Sequence, residues 1–296
     1  MTMNKVEFPL VSICIPTYNG ATYIEEAMQS AINQTYPNLE IIVSDDASKD
    51  DTLAIIQSFI SQTKIPITIV THNPQGIGAN WNNCIRHSQG QYIKFLFQDD
   101  VLLPHCIENM MTMAIQYPNA GLIYSKRTFI YEELSSEIEK FIAYYGPIHT
   151  HWDNLEVKQG VMSGRTYLKD KAFLNSPKNK IGEPTNVLLK MECFDAVGYF
   201  SEILEQTLDS NYWYRVMKKF DIAFVDEVLV KFRLHANQAS SINKKRELPD
   251  NLLMYKAYYD NLFWCLHPKC QLKLLKLYHP IFKMLVTIKR SFYVEK

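Results

Sequence analysis

Apolar and polar positions follow two alternating rhythms through the first 125 residues. Short β-rich runs (VSICIPT from Val11, LEIIVSD from Leu39, IPITIV from Ile65, YIKFLF from Tyr92 and AGLIYS from Ala120) each end in turn residues. Between them the apolar positions change to helical spacing. Ile24, Ala27, Met28, Ala31 and Ile32 share one face, as do Leu53, Ile56 and Ile60. Thr22 with Glu25, and Ser48 with Asp51, have the spacing of helix-start caps. GIGANWNNCIRHS reads as a loop entering a helix, and Pro104 opens another that runs to about Tyr117. Strands separated by single helices predict an α/β fold with a largely parallel sheet flanked by helices.

The rhythm is lost over residues 126–180, where aromatic and polar residues mix without a period, as in an insertion or a mobile region. Order returns with GEPTNVLLKMECFDAVGYF, then LDSNYWYRVMKKF as a helix and IAFVDEVLVKFRLHANQAS as a hairpin or strand pair. A charged break, NKKRELPD, precedes two helical stretches, about Leu252–Leu266 and Gln271–Phe292. These patterns divide the chain into a main unit over 1–243, with halves 1–125 and 126–243, and a helical C-terminal extension over 244–296. No internal repeat is present.

Composition narrows the function. The 296 residues are 47% hydrophobic, enough for a sizeable core, and 31 Lys plus Arg balance 31 Asp plus Glu. No global field therefore calls for nucleic acid. The six cysteines lack C-x-x-C spacing and read as reduced thiols. The N-terminal apolar run is short and broken by Pro9, and no run approaches the roughly 18 apolar residues of a membrane span. The expected location is cytoplasmic.

Three polar clusters stand at strand ends: Thr17-Tyr18-Asn19, Asp45-Asp46 and Asp99-Asp100. Ligands of open α/β sheets bind beyond the carboxyl ends of the strands, so chain topology brings these clusters to one rim. Singly, each reads as a turn or cap. Together, gathered carboxylates repel unless a cation compensates, and oxygen ligands select a hard ion, Mg²⁺ or Mn²⁺, of the kind that bridges to phosphates. Neither a P-loop nor a G-x-G-x-x-G is present.

The block VSICIPTYNGATYIEEAMQSAINQTYPNLEIIVSDDASKDDT, with FLFQDD and the later RLHANQAS, resembles the family-two glycosyltransferases, inverting enzymes of the Rossmann-like GT-A fold. The resemblance spans about Pro9 to Ser241. It implies a nucleotide-diphosphate sugar donor, a divalent metal (Mn²⁺ or Mg²⁺) and sugar transfer to a hydroxyl, as in bacterial polysaccharide or O-antigen synthesis. By the resemblance, Pro16, Thr17, Tyr18 and Asn19 lie near the nucleoside, and Asp46 accepts from the base N–H. Asp45, counted with the donor residues, has the place of a turn anchor. Asp100 has the place of the direct metal ligand, with Asp99 on the ribose or beside the metal. Phe97 stands where many members have the first acid of D-x-D.

In LDSNYWYR, Asp209 matches the family's general base, four residues before Trp213, and Trp213 goes with the acceptor side. Glu183 orients the acceptor or holds a loop. Arg233 closes on the diphosphate, His235 is a further metal ligand or phosphate donor, and Asn80 lies near the donor. The acceptor is a saccharide or a lipid-linked saccharide. The tail from Lys269 has seven Lys or Arg and one acid among apolar residues. Such a segment lies on the inner face of a membrane, or packs inward and leaves its lysines in water. A nucleotidyltransferase and a non-catalytic nucleotide-sugar-binding module are the alternatives.

Overall fold

The computed structural model describes residues 8–243 and 246–285. The elements run β1 (Val11–Thr17), α1 (Ile24–Ile32), β2 (Leu39–Asp45), α2 (Thr52–Phe59), β3 (Ile67–Thr71), α3 (Ile77–His87), β4 (Tyr92–Phe95), β5 (Val101–Leu102) and α4 (Cys106–Gln116). They continue with β6 (Ala120–Ile130), α5 (Ser136–Tyr145), β7 (Gly160–Ser163), α6 (Gly164–Leu168), β8 (Val187–Lys190) and α7 (Glu192–Val197). Last come α8 (Leu208–Met217), β9 (Asp221–Arg233), α9 (Ala239–Asn243), α10 (Asp250–Asn261) and α11 (Pro268–Tyr278).

All the strands join one sheet in the order β3-β2-β1-β4-β8-β6-β9-β5, with β7 on β9. The expectation of a largely parallel sheet holds for β3-β2-β1-β4 and for β6 with β9. It fails elsewhere: β8 is antiparallel to β4 and β6, and β5 and β7 are antiparallel to β9. The sheet is mixed. The supposed hairpin after α8 is the single 13-residue strand β9, whose register against β6 shifts near Asp226–Val228. A bulge of that kind breaks the period-two pattern that marks one strand.

Every residue of β1 and β2 is buried, the mark of central strands covered on both faces. One face packs Trp81, Phe95, Tyr124, Trp213 and Phe224 against α3 and α8. The other packs Ile13, Met28, Val43, Ile107 and Val225 beneath α1 and α4. The extension belongs to the first core, because α10 contributes Met254 and Tyr258 and α11 contributes Leu274. Its second helix, α11, ends at Tyr278, two residues before Pro280, and helix resumes over 280–285; Phe292, the expected end, lies outside the described residues. Lys289, Arg290 and Lys296 of the basic tail lie outside the described residues.

The aperiodic stretch over 126–180 is ordered. It holds the end of β6, then α5, β7 and α6. The two sequence caps do not form. Tyr23 is the N-cap of α1 and Asp51 that of α2, neither with a side-chain cap bond. Ser48 instead bonds Asp45, and Asp50 accepts from the Thr52 amide. From β1 the chain builds outward to β2 and β3, then returns to place β4 on the other side of β1. This reversal opens a crevice at the carboxyl end of β1.

Candidate active site

The crevice is a cleft of about 660 Å³, within the range of small-molecule sites. Pro16, Thr17, Tyr18, Asp46 and Asn80 line it, together with Asp99 and His235 and with Glu183 and Asp209.

The ends of β1 and β2 are locked to each other before any ligand arrives. The Thr17 hydroxyl donates to Asp45 Oδ1 at 3.0 Å, and the Ser48 amide donates to Asp45 Oδ2 at 2.8 Å. Asp45 is fully buried and is a turn anchor, not a donor contact. Asn19 is likewise part of the frame and not of the cleft wall. Its backbone is left-handed at φ 47°, and its side chain accepts from the Lys49 amide at 2.8 Å. Asp46 faces the cleft. Its Oδ1 lies 2.7 Å from His72 Nε2, which is also 3.3 Å from Asn80 Oδ1. Asn80 Nδ2 in turn donates to the Thr17 carbonyl at 3.2 Å. Burial pushes the Asp46 carboxyl upward, and the Asp45 charge adds to this against the opposing pull of His72.

The Asp99-Asp100 doublet is divided between two environments. Asp100 turns inward and is 1% exposed; it accepts from the Thr185 hydroxyl at 2.7 Å and the Arg233 amide at 3.0 Å. Burial first, then the neighbouring Asp99, pushes its carboxyl well above the usual range. Beneath it the fully buried Lys94 ammonium donates to the Thr185 carbonyl and holds that wall to the sheet. Asp99 turns outward, its Oδ2 2.9 Å from His235 Nε2. The expected order is therefore reversed: Asp99 with His235, not Asp100, presents ligand atoms to the cleft.

Arg233 does not reach over the cleft either. Its Nε donates to the Asp99 carbonyl at 2.8 Å, its terminal nitrogen pairs with Glu26, and its guanidinium sits 4.6 Å from the Tyr23 ring centre. It fastens the acidic loop from behind. Among the described residues, Arg246 is the Arg or Lys on the cleft wall, paired with Glu205 at 2.6 Å. Gln98, beside Phe97 in the shortened motif, clamps the Tyr18 backbone: its Oε1 accepts from the Tyr18 amide at 2.9 Å and its Nε2 donates to the Tyr18 carbonyl at 3.2 Å.

Asp209 lies in the first turn of α8 and lines the same cleft. Burial, and next the Glu183 charge, raise its pKa to about 7 despite bonds from the Ser210 amide and from Asn179 Nδ2 at 2.7 Å. Glu183 pairs with Arg127 Nε at 2.7 Å. Trp213 is not an acceptor contact. It is fully buried, and its indole N–H donates to the Gly182 carbonyl at 3.0 Å, bracing the turn that carries Glu183. His72, Gln98, Asn179 and Arg246 were not singled out from the sequence. Asn179 falls in the aperiodic stretch and carries no motif, and Arg246 falls in a stretch that reads as a break.

Residues 12–183 match the family described as Glycosyl transferase family 2. An uncharacterized glycosyltransferase of Rickettsia prowazekii, RP339, is 30% identical over 246 residues, which are 82% of this chain and 70% of that protein. Chondroitin synthase of Escherichia coli is 41% identical over 107 residues, which are 36% of this chain but 15% of that protein. The crystal structure of S. aureus TarS 1-349 in complex with UDP-GlcNAc matches 90% of this chain and 71% of that one, with TM-score 0.61 and 16% identity. The mannosyltransferase PcManGT from Pyrobaculum calidifontis, in complex with GDP-Man and Mn²⁺, matches 98% and 81%, with TM-score 0.57 and 16% identity. The fold is that of the GT-A glycosyltransferases, and the chain belongs to glycosyl transferase family 2.

Proposed function

We propose that the chain moves a sugar from a nucleoside-diphosphate sugar to an acceptor hydroxyl, with inversion at the anomeric carbon. The observation that carries this reading is the shared cleft: Asp46, the Asp99–His235 pair and Asp209 line a single groove. Asp46 would take the base N–H of the donor. Asp209, with its pKa near 7, is ionised in a large fraction of molecules at neutral pH and is basic enough to accept the acceptor's proton. Glu183, held by Arg127, would orient the acceptor sugar beside it. Among the described residues, Arg246 is a cation on the cleft wall that would meet the diphosphate.

A divalent metal fits a partial site. Among the described residues no group of three or more His, Cys, Asp or Glu side chains surrounds a common point. Asp99 and His235 nevertheless bring one carboxylate oxygen and one imidazole nitrogen to the same spot. Mg²⁺ and Mn²⁺ are commonly held by few protein ligands, with substrate phosphate and water completing the shell. When bound, the ion would supply charge neutralisation for the departing diphosphate.

The donor's base is narrowed by the same geometry. With Oδ1 of Asp46 facing His72, one carboxylate oxygen remains for a base, which suits the single imide N–H of uracil. Guanine would bring two adjacent N–H groups. A saccharide acceptor, free or lipid-linked, and a role in surface polysaccharide or O-antigen assembly are part of this proposal.

Product analysis over a panel of nucleotide sugars tests it. Release of nucleoside diphosphate together with a glycosylated acceptor is the expected result. Pyrophosphate release would mean nucleotidyl transfer, and binding without turnover would mean a recognition module.

A further inference from the structure

Beyond α10 the chain carries charge of one sign over a long stretch. From Asn261 to Val294 the sequence has no Asp or Glu. In α11 Cys270 and Leu274 point into the core, while Lys269, Leu272 and Lys276 recur at helical spacing on the outer face and are exposed. Apolar side chains stand among these lysines in water. Trp264, in the turn before α11, is 88% exposed, and Ile281, just beyond it, is 58% exposed. Gln271 Nε2 donates to the Phe263 carbonyl at 2.8 Å, which sets the Trp264 turn beside the first turn of α11. At the other end the Tyr278 hydroxyl donates to the Leu252 carbonyl at 2.9 Å, and Leu252 is itself 67% exposed. The apolar residues thus extend along the whole helix, about 16 Å at 1.5 Å per residue.

We propose that this face docks on an anionic lipid surface, with Trp264, Leu272 and Ile281 entering the interface and Lys269, Lys276 and Lys283 meeting the headgroups. Tryptophan at the water–lipid boundary and lysines facing acidic lipid are the chemistry such a surface selects. A second copy of the chain is a poorer occupant. A two-fold contact would set the same lysine-rich face against itself, with like charges opposed. Among the described residues no helix is long and apolar enough to cross a membrane.

The docking face is tied to the cleft. Asp250, in the first turn of α10, accepts from the backbone amides of Gln206 at 2.7 Å and Thr207 at 2.8 Å. Those residues open α8, two positions before Asp209, and Gln206 lines the cleft. A lipid surface under α10 and α11 would hold a headgroup-borne acceptor on the side of the groove where Asp209 lies.

The test is co-sedimentation of the full chain with phosphatidylcholine vesicles, with and without phosphatidylglycerol, at low and high salt. The expected result is binding that needs the anionic lipid, is released by salt, and falls about tenfold or more in a Lys269→Glu/Lys276→Glu variant. Trp264→Ala should weaken it independently. Both variants should keep nucleotide binding and turnover of a soluble acceptor, since neither touches the cleft. Equal binding to both vesicle types, or none to either, overturns the proposal. So does a variant that leaves vesicle binding intact but splits an oligomer in sedimentation velocity.

Discussion

The sharpest consequence of the structure concerns the cost of holding Asp209 ready as a base. An aspartate usually ionises near 3.8, whereas burial raises this one to about 7. Between those values the unfolded chain releases a proton that the folded chain retains, so folding stability is lost as pH rises from 3.8 to 7. At 1.36 kcal/mol per pH unit, a gap of about 3 units amounts to about 4 kcal/mol above pH 8, an upper bound once the site relaxes. Asp209→Asn removes the charge and leaves the shape. Its hydrogen-bond losses do not depend on pH, so the charge contribution is isolated by comparison across pH. Urea unfolding at pH 8 and at pH 4 should show the variant gaining about 2–4 kcal/mol relative to wild type between the two conditions. Turnover should fall about 10²–10⁴-fold while nucleoside diphosphate still binds. A stability difference that is the same at both pH values would refute the buried-carboxylate argument. Intact turnover would refute the base assignment.

Other expectations follow from the same site. Below pH 7, kcat should fall about tenfold per pH unit as Asp209 gains its proton, and a profile flat to pH 5 would point to another base. EDTA should suppress donor turnover. Asp99→Asn and His235→Ala should each raise the Mn²⁺ concentration needed for half-maximal rate by about tenfold or more. Asp100→Asn should leave that requirement unchanged, because its oxygens serve Thr185 and Arg233. Calorimetry should rank UDP above GDP, and His72→Ala should narrow the gap by freeing the second Asp46 oxygen; equal affinities in wild type would refute the single-acceptor argument.

The sequence made much of the frame legible. The β1, β2 and β4 runs are near-continuous apolar stretches, and the polar clusters that follow them do converge on one cleft. What stayed hidden was direction. Asp99 and Asp100 sit in a turn closed by the Asp100 amide on the Phe97 carbonyl, and that turn sends one of them into the cleft and the other into the core. Sequence alone does not say which. The partners decide it, and Thr185 and Arg233 lie 85 and 133 positions away. Arg233 and Trp213 failed as ligand contacts for a similar reason. Each has a motif position beside the site, but tertiary bonds to Asp99 and Gly182 turn it toward the scaffold. The 126–180 stretch read as aperiodic because β7 and α6 span only four and five residues, and α5, although ten residues long, buries none of its side chains fully. His72 carried no signal in the chain, since its role comes from lying across the sheet from Asp46.

The account stands on one carboxylate, Asp209, taking the proton of an acceptor hydroxyl whose oxygen attacks the anomeric carbon from the side opposite the leaving diphosphate. Proton NMR of the glycosylated product, made from a donor of known α configuration, tests this most directly. A β-linked product is the predicted result; an α-linked product would contradict it.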